Sequence, residues 1–272
     1  MNPILKIAAI QMVSSPNVLE NLNNASGLVS NAAKDGAQVI VLPEYFCLMG
    51  LKDTDKVAIK EILGHGPIQN RLASIAIENN VYLVAGSIPL VAEDPNKVLN
   101  TTLVFDPQGA CIAQYDKMHL FGFETDQERY EESETISPGT KPSVVNMHID
   151  GQDWRFGLSI CYDLRFPELY RLMGQVDCHI IPAAFTYTTG KDHWEILLRA
   201  RAIENQCYVL ASAQGGKHEN QRRTWGNSML IDPWGMVLSN LPDGPGFISG
   251  TLSKVKLNEV RSQLPALQHR QL

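Results

Sequence analysis

Short apolar runs alternate along the chain with longer amphipathic stretches. The runs are rich in β-branched residues and contain few polar positions, which predicts strands that are buried on both faces. They are ILKIAAIQM, AQVIVLPE, VYLVAGS, WRFGLSIC, CHIIPAAF and CYVLASA. The amphipathic stretches 17–34, 66–79, 166–174 and 190–204 predict helices. This order predicts an α/β domain with a layered sheet core.

Two distant segments of the chain resemble each other. LVFDPQGACIAQY (103–115) and MLIDPWGMVLSNL (229–241) each place D-P-x-G between two strand-like runs. Pro at the second and Gly at the fourth turn position suit a type I turn that leads into a bulged hairpin. A chance repeat of a common turn is one explanation. The other is two similar sheets, each with one hairpin, packed face to face with helices outside. No Pro/Gly/Ser-rich linker divides the chain, so we predict one domain over residues 1–272.

Composition and charge exclude several classes of protein. Of the 272 residues 44% are apolar and 19% are charged, which is typical of a globular chain. The net charge is −6 and no Lys/Arg run occurs, which disfavours a nucleic-acid partner. No stretch reaches the roughly 20 apolar residues of a membrane span, so no membrane partner is predicted. The 5 cysteines form no C-x-x-C pair, which favours a reducing compartment. The apolar start lacks a signal-peptide cleavage site, and we therefore predict a cytoplasmic protein.

Common cofactor and metal motifs are missing from the sequence. There is no G-x-G-x-x-G after a strand, no G-x-x-x-x-G-K-[ST] and no H-E-x-x-H, so we predict neither cofactor nor metal. A serine hydrolase is disfavoured because no G-x-S-x-G occurs. The candidate chemistry therefore falls on cysteine.

Cys161 lies between the strand-like run WRFGLSI and a helix that Pro167 is well suited to begin. Such a turn exposes a nucleophile and points the following backbone N–H groups at its reaction centre. The alternative is a small buried apolar side chain, as most free cysteines are. A reactive thiol needs a base or a cation, and Glu44 and Lys117 close two other strand-like runs. Strand ends meet at one rim in α/β proteins, although each charge alone is also typical of a solvated loop.

Three motifs resemble the signatures of a known family. V-L-P-E-Y-F (41–46), Y-D-K-M-H-L (115–120) and S-I-C-Y-D-L-R-F-P-E (159–168) resemble, in this order, the signatures of the nitrilase superfamily of carbon-nitrogen hydrolases. H-W-E-I-L-L-R-A-R-A-I-E-N-Q-C-Y-V (193–209) and G-N-S-M-L-I-D-P-W-G (226–235) continue the match along the chain. The resemblance implies a four-layer αββα sandwich, which agrees with the hypothesis of two similar sheets.

The resemblance also implies catalytic roles. Cys161 is the nucleophile, Glu44 the general base, and Lys117 stabilises the oxyanion together with the backbone N–H of Tyr162. Family members place a second glutamate a few residues before a P-G step, and Y-E-E-S-E-T-I-S-P-G (130–139) supplies it as Glu132. We expect Glu132 to orient the substrate and to raise the pKa of Glu44 by like charge.

Apart from the resemblance, the acidic stretch around Glu132 predicts only a solvated loop. For Glu128, Glu131 and Glu134 this remains the prediction. One departure from the family pattern is Gly122, which stands where many relatives carry Asp.

The surroundings of the cysteine resemble the amidase branches, since true nitrilases usually follow it with Trp-Glu. S-A-Q-G-G-K-H (212–218) and Q-L-P-A-L-Q-H-R (263–270) resemble deaminated-glutathione amidases. These cut the amide that joins a 2-oxoglutaryl group to cysteinylglycine, through a cysteine thioester. An omega-amidase, which releases ammonia from 2-oxoglutaramate, is the alternative. A catalytically silent interaction protein on the same fold is a third hypothesis.

Both candidate substrates are small anionic amides, so we expect a cationic group to bind them. Arg165 is the candidate, because a guanidinium can bind a carboxylate with two hydrogen bonds. In the alternative, Arg165 pairs with Asp163 and braces the nucleophile turn. Other candidate binding residues, each with core or rim packing as the alternative, are Tyr45, Tyr162, Phe185 and Thr186.

The resemblance further implies a homodimer. Helices near 166–174 and 190–204, with a C-terminal tail over 258–272, are expected to pack across its interface. A frayed tail is the alternative.

Overall fold

A computed structural model describes residues 4–126 and 129–271. Its helices are α1 Val18–Lys34, α2 Asp55–Ala58, α3 Pro67–Asn79, α4 Pro167–Leu172, α5 Tyr187–Asn205 and α6 Lys254–Gln263. Its strands are β1 Ile4–Gln11, β2 Val39–Val41, β3 Tyr82–Val84, β4 Ile88–Val91, β5 Val98–Phe105, β6 Cys111–Asp116, β7 Gly122–Glu124, β8 Arg129–Glu131, β9 Ile136–Ser137, β10 Ser143–Ile149, β11 Gln152–Leu158, β12 Cys178–Ala183, β13 Tyr208–Ala213, β14 Gly215–Lys217, β15 Arg223–Trp225, β16 Ser228–Ile231, β17 Val237–Leu241 and β18 Gly246–Ser253. Three 3-10 turns cover Glu132–Glu134, Cys161–Arg165 and Ala266–Gln268.

Two large sheets share one plan. The first has the order β18-β1-β2-β3-β5-β4, with β6 and β9 also pairing with β5, and the second has the order β10-β11-β12-β13-β16-β17. In each sheet three parallel strands are flanked by antiparallel ones: β1, β2 and β3 in the first, and β11, β12 and β13 in the second. The similarity between the two halves of the sequence therefore reflects two sheets of similar topology.

The sheets pack face to face between two layers of helices. Alternate residues of β1 show the layering, since Leu5 and Ile7 join a core shared with the second sheet. Ala8 and Ile10 point the other way, into a core formed with α1 and α3. Trp194 of α5 covers the outer face of the second sheet. The predicted four-layer αββα sandwich is confirmed.

Each D-P-x-G turn closes a hairpin, one in each sheet. Asp106 and Asp232 each accept backbone N–H bonds from residues two and four positions later. Both hairpins, β5–β6 and β16–β17, also carry a register shift beside the turn. The bulged hairpins that the turn chemistry predicts are therefore present.

Some element boundaries differ from the prediction. α5 begins at Tyr187 because Thr186 caps it, accepting a hydrogen bond from the Thr189 N–H. The C-terminal segment is helical from Lys254, and Arg261 anchors it by donating to the carbonyls of Gln206 and Val176. Within the described part of the chain, no helix is long and apolar enough to cross a membrane.

Candidate active site

Four segments that follow strands deliver the predicted catalytic side chains to one end of the sheets. Glu44 comes three residues after β2, Lys117 directly follows β6, and Cys161 opens the 3-10 turn after β11. Glu132 opens the 3-10 turn after β8. The structure brings these four side chains together, although they are distant in sequence.

Lys117 lies at the centre of the cluster and is fully buried. Its ammonium group donates to Glu44 Oε1 at 2.9 Å and to both carboxylate oxygens of Glu132 at 2.8 Å. Burial lowers the pKa of Lys117, but the charges of Glu132 and Glu44 outweigh it and raise the pKa well above its ordinary value. Lys117 therefore stays positively charged.

Glu44 is held at both carboxylate oxygens. Oε1 accepts from Asn100 Nδ2 at 2.9 Å as well as from Lys117, and Oε2 accepts from the backbone N–H of Ala184 at 2.9 Å. Burial raises the pKa of Glu44, the charge of Lys117 lowers it, and the charge of Glu132 raises it again; the net shift is upward. The expected like-charge effect of Glu132 is thus present, but burial has the larger effect on this pKa.

The Cys161 thiol borders both the pocket and this cluster. Its side chain is 8% exposed, and hydrogen bonding to it lowers the pKa of Glu44. Burial raises the pKa of the thiol well above its ordinary value; Glu44 raises it further and Lys117 lowers it. A thiol in this state keeps its proton in the free protein, so attack requires transfer of that proton to a neighbouring base.

Glu132 differs from Glu44 in its electrostatics. Burial raises the pKa of Glu132, but the charge of Lys117 and hydrogen bonds from Lys117, the Phe121 N–H and the Tyr45 hydroxyl outweigh it, so the net shift is downward. The Tyr45 hydroxyl donates to Glu132 Oε1 at 2.8 Å. Two neighbouring carboxylates with opposite shifts suit different roles, one as a proton acceptor and one as a permanent anion. Glu131 and Glu134 are exposed as predicted, and Glu128 lies outside the described residues.

Two site residues have strained backbones. Tyr45 and Cys161 have φ angles of 55° and 49°, in a backbone region that residues other than glycine rarely adopt. As the second residue of its 3-10 turn, Tyr162 has a backbone N–H without an intrahelical acceptor, next to the Cys161 side chain. The strained turn therefore places the sulfur and an N–H donor on adjacent residues.

Asp163 braces the nucleophile turn, with partners other than the one the sequence suggested. Its fully buried carboxylate accepts from the Tyr115 hydroxyl at 2.7 Å and from the backbone N–H groups of Ile160 and His119. The alternative pairing of Asp163 with Arg165 is wrong, because the Arg165 guanidinium packs over Tyr162 and Phe185 and no ion pair joins it to Asp163 among the described residues. Tyr115 opens the Y-D-K-M-H-L motif, but no sequence signal linked it to Asp163, because it lies on β6 of the other sheet.

Arg165 points along the protein surface rather than into the main pocket. Its guanidinium packs over the rings of Tyr162 and Phe185 and lies 3.2 Å from His193 Nδ1. Tyr162, Phe185 and Thr186 line a small pocket beside Cys161.

A larger pocket, with about 630 Å³ of empty space that is partly open to solvent, lies above the cluster. Tyr45 and Thr186 are part of its lining, together with Cys161 and the two glutamates. The lining also includes three cations that sequence reasoning missed: Lys56, Arg222 and Arg223. The only available signal was the adjacent arginine pair in R-R-T-W-G. Among residues 4–126 and 129–271, no group of three or more His, Cys, Asp or Glu side chains is arranged to hold a metal ion.

Comparison with known proteins identifies the family. Residues 6–262 match the Carbon-nitrogen hydrolase family. The chain belongs to this family. It is 42% identical over 275 residues to a deaminated glutathione amidase of Synechocystis, with 99% of each chain covered. It is 37% identical to the omega-amidase NIT2 of Xenopus tropicalis, covering 97% of this chain and 94% of the relative.

Solved structures of the family share the fold of this carbon-nitrogen hydrolase. Nit3 of Saccharomyces cerevisiae, a member of branch 10 of the nitrilase superfamily, superposes with a TM-score of 0.86 at 29% sequence identity. The comparison covers 99% of this chain and 97% of Nit3. The chain is thus a hydrolase of carbon-nitrogen bonds on the nitrilase-superfamily fold.

Proposed function

We propose that this carbon-nitrogen hydrolase is a thiol-dependent amidase and that Cys161, Glu44, Lys117 and Glu132 are its catalytic residues. The observation that carries the proposal is the convergence of a pocket-facing thiol, a carboxylate with a raised pKa and a buried ammonium group. A thiol nucleophile requires such a base and such a cation.

In the first half of the reaction, Glu44 accepts the Cys161 proton as the sulfur attacks the amide carbonyl. The negative charge that develops on the carbonyl oxygen is stabilised by Lys117 and the Tyr162 N–H. The tetrahedral intermediate collapses when Glu44 gives the proton to the amide nitrogen, which leaves as an amine and leaves the acyl group on sulfur as a thioester.

In the second half, Glu44 takes a proton from water, and the resulting hydroxide attacks the thioester. Collapse of this intermediate releases a carboxylic acid, and the proton on Glu44 returns to the Cys161 sulfur. Burial favours this alternation because the raised pKa of Glu44 makes it both a better base and a usable acid. Glu132 keeps its charge throughout and holds Lys117 in position.

We propose deaminated glutathione as the substrate, with 2-oxoglutarate and cysteinylglycine as products. The 42% identity to the Synechocystis deaminated glutathione amidase over nearly the full length supports this choice. The similarity to omega-amidase NIT2 supports 2-oxoglutaramate as the second candidate.

The test is a product assay on both substrates. We expect deaminated glutathione to yield cysteinylglycine and 2-oxoglutarate with a higher kcat/KM than that for ammonia release from 2-oxoglutaramate. Cys161→Ala should abolish both reactions while the circular dichroism spectrum stays unchanged. Turnover of neither substrate by the unaltered protein would refute the proposed function, and inactivity towards a broad panel of amides as well would favour a silent interaction protein.

We also propose a homodimer that works in the cytoplasm. Exposed apolar side chains on α4 and α5, Leu172, Ile196 and Ile203, support an interface on this face. The five free cysteines suit a reducing compartment. Gel filtration with light scattering should give twice the chain mass, Ile196→Glu should give the monomer, and the exposed Ile77→Glu on α3 should not change the dimer.

A further inference from the structure

Besides the proposed catalytic groups, the lining of the main pocket contains three cations and two carboxylates, Asp53 and Glu131. Lys56 comes from the short helix α2, and Arg222 and Arg223 lie at the start of β15. The question is which of these cations is available to a ligand.

Arg222 already has a protein partner. Its guanidinium forms an ion pair with Asp53 and packs over the ring of Tyr130. We therefore assign it no role in ligand binding.

Lys56 is partly buried and lacks a carboxylate partner. Its ammonium group donates to the Thr135 hydroxyl at 3.2 Å and lies 5.5 Å from the centre of the Tyr45 ring. Among the residues that the structure describes, no carboxylate lies within ion-pair distance of it. Burial lowers the pKa of Lys56, although the charges of Asp53 and Glu132 act in the opposite direction. An ammonium group drawn out of water without an ion-pair partner is a favourable position for an anionic group of a ligand.

Arg223 lies further out and is exposed. Its guanidinium stacks on the Tyr187 ring at 3.8 Å, which fixes its plane. Within ranges 4–126 and 129–271 it forms no ion pair either. A guanidinium whose face is held by an aromatic ring can offer its edge to a carboxylate.

We propose that Lys56 and Arg223 bind the two carboxylates of a dianionic amide, Lys56 on the acyl side of the scissile bond and Arg223 on the amine side. The inference rests on the proposed function and adds the residues that select the substrate. We assign the two sides from the burial of each cation. The acyl group stays on Cys161 as a thioester, so its carboxylate suits the partly buried Lys56. The amine must leave the pocket and suits the exposed one.

The assignment separates the two candidate substrates. Deaminated glutathione has one carboxylate on its 2-oxoglutaryl group and another at the end of cysteinylglycine. 2-Oxoglutaramate has only the first, since its leaving group is ammonia. Lys56 therefore serves both substrates, whereas Arg223 selects for deaminated glutathione.

The test combines two variants with three substrates. The third substrate is deaminated glutathione whose terminal glycine carboxylate has been converted to an amide. Lys56→Met should raise KM about 10- to 100-fold for all three substrates. Arg223→Gln should raise KM for deaminated glutathione about 10- to 100-fold more than KM for 2-oxoglutaramate. In the unaltered protein, amidation of the glycine should raise KM as strongly as Arg223→Gln does. When the amidated substrate is used with the Arg223→Gln variant, KM should rise no further.

Surface variants Lys34→Met and Arg71→Gln, on the outer helices, control for the loss of a charge. If Lys56→Met left KM unchanged for every substrate, the acyl-side assignment would be wrong. The amine-side assignment would be wrong if Arg223→Gln raised KM equally for both natural substrates, or if the effects of amidation and of Arg223→Gln on KM were additive. Turnover of 2-oxoglutaramate alone would also overturn it. The amidated substrate tests Arg223 without mutation, so misfolding of that variant cannot hide the answer. Turnover of neither natural substrate would instead refute the proposed function, and this inference with it.

Discussion

Lys117 is an ammonium group shared by two carboxylates inside the protein. Its side chain is fully buried and that of Glu132 is 13% exposed. Removing a buried ammonium group leaves its carboxylate partners as uncompensated buried charges. This lowers the stability of the fold more than replacing the whole ion pair with apolar side chains would. The same group is the proposed oxyanion donor, so it affects stability and catalysis together.

Lys117→Met should therefore have two separable effects. We expect kcat to fall by about 100- to 1,000-fold, the usual effect of losing one oxyanion donor. The free energy of unfolding should fall by about 3 to 5 kcal/mol, because Glu44 and Glu132 lose their buried partner. Steady-state kinetics and urea unfolding measure the two effects.

The double variant Lys117→Met with Glu132→Gln separates these effects. Removing the second charge should restore much of the stability but none of the activity. If activity returned together with stability, Lys117 would be only a structural residue.

Glu132→Gln alone tests the electrostatic coupling between the two glutamates. The charge of Glu132 contributes to the raised pKa of Glu44, so removing it should lower that pKa. The acidic limb of the kcat/KM profile reports protonation of the base and should move to lower pH. An acidic limb at the same pH in both proteins would exclude an effect of Glu132 on the base.

Among the secondary-structure elements, the geometry of the site depends on how closely the segment after β3 approaches the segment after β2. Gly86 follows β3 with a φ of +46°, beside the segment that leads from β2 to Glu44. A Cβ atom at this position would lie 2.0 Å from the Pro43 carbonyl oxygen. The hydroxyl of the next residue, Ser87, accepts a hydrogen bond from the backbone N–H of Tyr45. The close approach thus positions two residues of the site.

Gly86→Ala should for this reason damage the protein well beyond ordinary backbone strain. The clash is with backbone rather than with a flexible side chain, so the β2–Glu44 segment must move. We expect a loss of several kcal/mol in stability and a large fall in kcat, measured by thermal unfolding and by the product assay.

Gly64→Ala is the matched control. Gly64 also has a positive φ, +79°, but a Cβ atom there meets nothing within 4 Å. Only conformational strain remains, about 1 to 2 kcal/mol. Similar losses in both variants would show that the close approach at Gly86 does not matter.

The elements were largely predictable because their signals are local. The run that contains β12 is apolar apart from His179, and the two D-P-x-G turns specify their hairpins by backbone chemistry alone. The start of α5 was missed since Tyr187 and the threonines after it have low helix propensity, and the Thr186 cap outweighs this.

The site was predictable only in part because its contacts are not local. The strand-end positions of Glu44 and Lys117 suggested a shared rim, but family resemblance was needed to connect them to Cys161. Lys56 lies in a stretch with no pattern at all, and its place in the pocket depends on contacts with Thr135 and Tyr45, which are distant in sequence. Arg165 had the right chemistry and position in sequence, but its guanidinium packs over Tyr162 and Phe185 and is not part of the lining of the main pocket.

At the scale of the whole molecule, one core residue makes stability depend on pH. His179 on β12 is fully buried, and neither ring nitrogen has a hydrogen-bond partner among the described residues. Its ring packs edge-on against Tyr170 at 4.8 Å. Burial, followed by the positive charge of Arg201, lowers the pKa of His179 from 6.5 to about 3.

The sign of the effect follows from where the proton binds. Between pH 6.5 and about 3 the unfolded chain binds a proton at this histidine and the folded chain does not. Acid therefore favours unfolding, by about 1.4 kcal/mol for each pH unit in that window from this residue alone. Above pH 6.5 the histidine is neutral in both states and contributes no pH dependence.

His179→Phe should remove this dependence and the two unpartnered nitrogens while keeping a ring against Tyr170. We expect the variant to lose stability less steeply than the parent between pH 6.5 and 4, as measured by urea unfolding at a series of pH values. The difference between the two proteins isolates His179, because every other side chain is the same in both. His65→Gln, at an exposed histidine, is the control for loss of an imidazole and should leave the curve of the parent unchanged. Parallel curves for the parent and His179→Phe would mean that the buried ring can bind a proton in the folded state, and that the core around β12 is more polar than its packing indicates.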